Sequence, residues 1–267
     1  MKWMGLACIM LVLMAGIAGV ADMASIGERT THFSIKYSDP DGFASGTGRV
    51  LEDCYKLVNS YFGNLPKSIS VVVVDGEEMD HVGKYVEAFS AWNQKSSKIV
   101  LREKTLKDKK SLSVVATHEM THLALNDILE KKGAKDFDWL EEGTCMVISK
   151  EPLDDVKVAK YIVANGFMDL PGIAKAVDSD EYAITKNGYL HSFSLCKFIA
   201  GKFGVKTLIN IIKCPSTNFL EAFRKNTGTA FQPVYEDWKA SVEVKSHGTP
   251  GTNVVSMRGY LELGMAD

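Results

Sequence analysis

The sequence predicts an α+β fold, in which a small twisted sheet packs on one long helix and a mainly helical C-terminal lobe follows. Three observations predict it. Short runs rich in β-branched residues fall before residue 103, among them ISVVVV at 69–74. An unbroken helical period of apolar residues runs through 109–131. Beyond residue 137 helical spacing recurs in segment after segment. The composition, 46% hydrophobic and 24% charged over 267 residues, is that of a globular chain able to bury a full core.

The N-terminus stands apart from this pattern. Lys2 precedes an uncharged run from Trp3 to Ala21, and Gly19-Val20-Ala21 offers small residues for cleavage. Residues 1–21 therefore read as a signal peptide or, given the length of the run, an uncleaved membrane anchor. Leu6-Ala7-Cys8 lies too near the start to serve as a lipoprotein box. The expected location is outside the cytoplasm, secreted or periplasmic, with membrane attachment if the segment is retained.

The sheet lobe is expected over 28–136. Residues 31–37 form its first strand, and the glycine-rich GFASGTG leads into a helix at 49–62. The buried strand 69–74 follows, then SKIVLR at 97–102. KTLKDKK at 104–110 reads as a solvated basic loop. In the helix at 109–131, Leu112, Val115, Ala116, Leu123, Ile128 and Leu129 recur on one side, no Gly or Pro interrupts, and Gly133 marks the stop. The helical lobe is expected over 137–244. Its helices fall at 139–148, 156–165, 185–203, 205–213 and 217–225, and a last one at 234–244 places Trp238 in the core. Residues 245–267 read as a loose tail or one added strand.

The chemistry lies in His118-Glu119-Met120-Thr121-His122, the pattern HExxH. Histidines four apart share one face of a helix, so both imidazoles can reach a single ion. The glutamate between them can reach a water on that ion, which is the minimum machinery for metal-assisted hydrolysis. By chance the same letters would mean only a helix with two surface histidines and an unrelated acid. A catalytic zinc takes three protein ligands and keeps a fourth position open. The six histidines are His32, His81, His118, His122, His191 and His247, and no HExxHxxGxxH continuation exists, so a carboxylate must supply the third ligand.

Downstream, Asp138-Trp139-Leu140-Glu141-Glu142-Gly143-Thr144-Cys145 opens the next helix. HExxH followed by this Trp-Leu-x-Glu-Gly run resembles the gluzincin zinc metallopeptidases, the thermolysin-like and aminopeptidase-like superfamily called peptidase MA. The order of elements over 31–225 resembles theirs as well, and so, more loosely, does the late helix from Tyr189 to Gly204. The resemblance implies a thermolysin-like metallopeptidase domain holding one Zn2+ ion. His118, His122 and Glu142 would be the ligands, and Glu141 would occupy a variable, exposed slot. Glu119 would be the general base toward water, later passing the proton to the leaving amine. A tyrosine on the late helix would stabilise the oxyanion; Tyr189 fits by position, with Tyr182 and His191 as the fallback donors. The chain departs from the thermolysin form where an aspartate supports one histidine, because Met146 stands there. Asn126 and Asp127 are the candidates for that supporting role.

Other chemistries lack their signatures. No GxSxG elbow is present, and no Lys-Ser/Thr pair follows Gly46-Thr47-Gly48 to make a phosphate loop. A net charge of −2 leaves no footprint for nucleic acid. The expected partner is a peptide or protein substrate. GxMEN, the amine-anchoring motif of aminopeptidases, is absent, which leans the expectation toward an endopeptidase. The alternatives are an exported zinc-binding protein of the same fold without turnover, and a metal-free helical module with a chance motif. Cys54, Cys145, Cys196 and Cys214 allow disulfides in an exported protein, although three of them sit on apolar helix faces where free thiols are common.

Overall fold

In the computed structural model, residues 26–37, 45–84, 86–93, 96–132 and 137–248 are described. The signal or anchor expected at 1–21 and the tail beyond 248 lie outside them, as does the stop at Gly133. The chain is mixed α+β, with one small five-stranded sheet and a majority of helix.

The sheet runs in the order β1 (Ile26–Arg29), β2 (Phe33–Tyr37), β3 (Ile69–Val74), β5 (Ser96–Arg102), β4 (Ala88–Asn93). The three middle strands are parallel, with Ile35 opposite Val71 and Val71 opposite Ile99. Both edges are antiparallel. β3 is buried on both faces, as its unbroken valines require of a central parallel strand. Because side chains alternate, Val71 and Val73 join Ile35, Ile99 and Leu101 in the main core, while Val72, Val74 and Val100 face a second, smaller one with Met79. That lesser face is covered by a short helix, α2 (Gly76–Asp80), and the segment after it. Arg102, nearly buried, fastens this cover by donating to the carbonyls of Val86, Gly76 and Gly83 and pairing with Asp80 at 2.8 Å.

On the other face lie α1 (Thr47–Phe62) and α3 (Lys109–Lys132), which pack on each other. The middle of α3 is buried nearly all round: Leu112, Val115, Ala116, Met120, Leu123, Ala124 and Leu125 are buried, and so are Thr117, His118, Glu119 and Thr121. Such a helix belongs at the centre of a fold rather than at its surface. It also touches α4 (Asp138–Ser149). The remaining helices are α5 (Asp155–Asn165), α6 (Leu170–Val177), α7 (Tyr182–Phe203), α8 (Val205–Lys213), α9 (Phe219–Thr227) and α10 (Phe231–Ser246). α4 and α7 pack closely side by side, and α8 leans on both.

Three expectations change. The first strand begins at Phe33, and β1 and β4 add edges that the sequence pattern did not reveal. α6 is a further helix; Asp169 caps it by accepting from the Gly172 amide, and Pro171 sits in its first turn. The late helix starts at Tyr182 rather than 185, and α9 is shifted two residues along. The four cysteines at 54, 145, 196 and 214 are free and buried.

Candidate metal centre

α3 and α4 build the site between them. α4 is fixed against the helical layer by aromatic packing: Phe137 and Trp139 meet Phe219 edge-on, with ring centroids 6.2 and 5.1 Å away. Gly143 lets it approach α7. A Cβ there would stand 2.6 Å from the Ser192 carbonyl oxygen and press on Cys196, so only glycine permits this helix separation. The glycine of the Trp-Leu-x-Glu-Gly run thus has a packing reason.

His118 and His122 lie one turn apart on α3, with their Nε2 atoms 3.1 Å from each other. Glu142 on α4 brings Oε2 to 3.5 Å from both of these nitrogens. Cys145, one turn further along α4, has its sulfur within 4.8 Å of a ligand nitrogen on each ring. The far nitrogens of the rings are held as well. His118 Nδ1 lies 2.8 Å from Glu151 Oε1, and His122 Nδ1 lies 2.8 Å from Glu141 Oε1.

These supporting carboxylates correct two expectations. Glu141 is not an exposed helix acid; its side chain is 13% exposed and engaged by His122. The support missing at Met146, which is simply buried, comes from Glu151 instead. Lys150 makes this possible by ending α4 with φ 57°, the left-handed cap conformation, which turns the chain back toward α3. The Glu151 amide then bonds to the Met146 carbonyl at 3.1 Å. Asn126 shows no hydrogen bond to either histidine, and the Asp127 side chain lies outside the described residues.

The arrangement fits a cation. In the neutral tautomer that donates Nδ1–H to its carboxylate, each ring turns its Nε2 lone pair toward the other, which is how a metal-ligating histidine is held. Glu142 Oε2 is buried and has no hydrogen-bond partner among the described residues. Three potential electron-pair donors therefore converge on one point. Tetrahedral zinc with ligands at 2.0–2.1 Å would set those ligands about 3.3 Å apart; the separations here are 3.1, 3.5 and 3.5 Å. A buried His118, His122 and Cys145 group can equally hold a metal ion.

The charges agree with this demand. Burial opposes a charge on His118, but Glu142 and Glu151 outweigh it and raise its pKa to about 9. Burial opposes the charge on His122 too; the neighbouring Cys145, Glu142 and Glu141 raise its pKa well above the usual value. Glu142 is held far below the ordinary carboxylate range because His122 and His118 overcome the effect of burial. Burial pushes the Cys145 thiol up to about 12, against the pull of His122. Three carboxylates thus create a pocket that seeks positive charge, and protons on the imidazoles and a metal ion compete for it.

Two further predicted residues join the site. Glu119 is 4% exposed on the same turn of α3. Tyr189 on α7 is half-buried, with its hydroxyl close enough to Glu142 to feel that carboxylate. Burial, and then the charge of Glu142, raise that hydroxyl well above its usual pKa, and the charge of Glu119 adds to the rise. The fallback donors are elsewhere. Tyr182 is exposed at the start of α7. His191 is fully buried, its Nδ1 donating to the Asn187 carbonyl at 2.8 Å and its ring set edge-on to Trp238.

Reasoning from the sequence missed Glu151 and Cys145. Cys145 had a signal, its i, i+3 spacing from Glu142 on one helix face; Glu151 had none short of the cap at Lys150. No family model and no curated protein matches the chain.

Proposed function

We propose that the protein is a zinc-dependent peptidase of the gluzincin type, with a thermolysin-like arrangement in which His118, His122 and Glu142 hold the ion. One observation carries the reading: two imidazole lone pairs and the unpartnered Glu142 Oε2 converge at zinc-ligand separations. Zinc, when bound, supplies Lewis acidity that brings the pKa of a water down to about 7 and polarises a carbonyl.

The chain's own residues supply the rest. Glu119 takes the proton from the attacking water and returns it to the departing amine. Tyr189, kept protonated by burial, donates its hydroxyl to the oxygen that gains negative charge in the tetrahedral state. Glu141 and Glu151 hold the rings in one tautomer and orientation. The edge strand β4 packs near α3 and has no pairing strand on its outer side among the described residues, so an extended peptide can add to it. The substrate class is a peptide or protein, met outside the cytoplasm if residues 1–21 direct export. No helix among the described residues is long and apolar enough to cross a membrane.

The second reading, a zinc-holding protein without turnover, draws on Cys145, because a sulfur ligand would close the site. Glu119→Gln separates the two. The peptidase reading expects the variant to keep its zinc and lose peptide cleavage by at least about 100-fold, the usual contribution of a general base. Equal cleavage by wild type and variant would overturn it.

A further inference from the structure

We infer that Cys145 is a fourth protein ligand of this centre, so that the resting site is closed by a thiolate and opens only when that thiolate yields its position. The inference rests on the metal-centre reading above and concerns how the same site is regulated.

Its basis is placement. Cys145 follows Glu142 by three residues on α4, so both side chains leave the same face of the helix toward α3. Its sulfur lies within 4.8 Å of both histidine ligand nitrogens and is fully buried. Bonded zinc places a sulfur at 2.3 Å and a nitrogen at 2.0–2.1 Å, which in a tetrahedron sets the two about 3.6 Å apart. From a separation of at most 4.8 Å, a sulfur displacement of no more than about 1.2 Å closes that gap. The neighbouring Glu142 Oε2, buried and unpartnered, independently marks the point on which the donors converge.

The ligand set that results is two imidazoles, one carboxylate and one thiolate. Four protein ligands describe a closed zinc site, whereas hydrolysis requires an open position. Closing the site would form one metal–sulfur bond and break the metal–water bond and the S–H bond, with the water and the proton leaving to solvent; no oxidant or reductant takes part. Reopening reverses this, with water taking the coordination position and the thiol recovering a proton. The sulfur also shifts the preference of the site toward soft ions and away from magnesium or calcium. In the closed form the thiol is bonded to metal, so an alkylating reagent reaches it only after the metal leaves or the position opens.

Cobalt(II) tests the proposal, because sulfur bonded to cobalt gives an intense near-ultraviolet charge-transfer band and nitrogen or oxygen ligands do not. The full chain is loaded with cobalt(II) alone, and its absorption and metal stoichiometry are read for wild type, Cys145→Ala, Cys145→Ser and Cys214→Ala. The expected result is one cobalt per chain in all four, with the band present in wild type and Cys214→Ala and absent in both Cys145 variants. The dissociation constant should rise at least about tenfold in the Cys145 variants, the lower end of what losing a supporting group costs. Cys145→Ser keeps the side-chain size, so it carries the test should the alanine variant fail to fold. Bound cobalt without the band in wild type overturns the proposal and leaves the His118, His122 and Glu142 centre standing. A wild-type chain that takes up no cobalt overturns the metal-centre reading, and the proposal with it.

Discussion

Glu151 gives the sharpest test of how the site is held. Its Oε1 lies 2.8 Å from His118 Nδ1, and both side chains are only 5% exposed. A hydrogen bond to a charged group in such a place is worth about 1.5–3 kcal/mol, and at about 1.4 kcal/mol per decade that corresponds to roughly 10–100-fold. The same range is expected for losing a carboxylate behind a metal-bound histidine. Glu151→Ala removes the acceptor and leaves a buried ring nitrogen unpaired. Glu151→Gln keeps an acceptor and loses the charge, so it should fall between alanine and wild type. The assay is zinc competition against a chromophoric chelator at fixed pH, with the exposed Glu243 changed to Gln as the surface control. The dissociation constant should rise by about 10–100-fold in Glu151→Ala and stay unchanged in Glu243→Gln. Should Glu151→Ala hold zinc as tightly as wild type while staying folded, the claim that this carboxylate orients His118 fails.

Three other outcomes follow from the same geometry. Tyr189→Phe should keep zinc affinity and KM within about twofold while kcat falls by about 100-fold or more, as expected for a donor needed only in the transition state; a parallel loss of zinc would mean that the hydroxyl serves Glu142 instead. Gly143→Ala should destabilise the fold by about 1–2 kcal/mol, because overpacking against Ser192 exceeds the helix-propensity gain of alanine; a higher denaturant midpoint would contradict that. Glu52 accepts from the Thr30 hydroxyl at 2.6 Å and the His32 amide at 2.8 Å, tying the β1–β2 turn to α1. Its pKa is lowered: burial works the other way, but these hydrogen bonds and the His32 ring prevail. A lowered folded pKa contributes stability that is present above the unfolded carboxylate pKa and lost as pH falls through the folded one. Glu52→Gln should therefore cost about 1–2 kcal/mol near neutral pH and progressively less in acid; an equal loss at both ends of a pH series of unfolding curves would refute this.

What the sequence made legible is what short range decides. The i, i+4 histidines need only a helix, and the apolar period of 109–131 supplied one. The proposed ligand role of Glu142 rests on its resemblance to a known pattern, and its Oε2 lies 3.5 Å from both rings. The central strands showed through because a parallel strand buried on both faces is a run of valines. The edges did not: IGER carries no apolar alternation, and β4 owes its place to pairing with β5. Glu141 read as a surface acid since nothing local says that His122 will face it. Glu151 was invisible for a stricter reason. It reaches His118 only because Lys150 adopts a left-handed cap, a choice that the tertiary contacts make rather than the residue itself.

Zinc titration by calorimetry tests the central claim most directly, comparing metal-free wild type with His122→Ala and Glu142→Ala in the folded state. Convergence of His118, His122 and Glu142 on one cation predicts a single zinc per wild-type chain. Binding should weaken by orders of magnitude in both variants. An unchanged isotherm in either one would contradict the account.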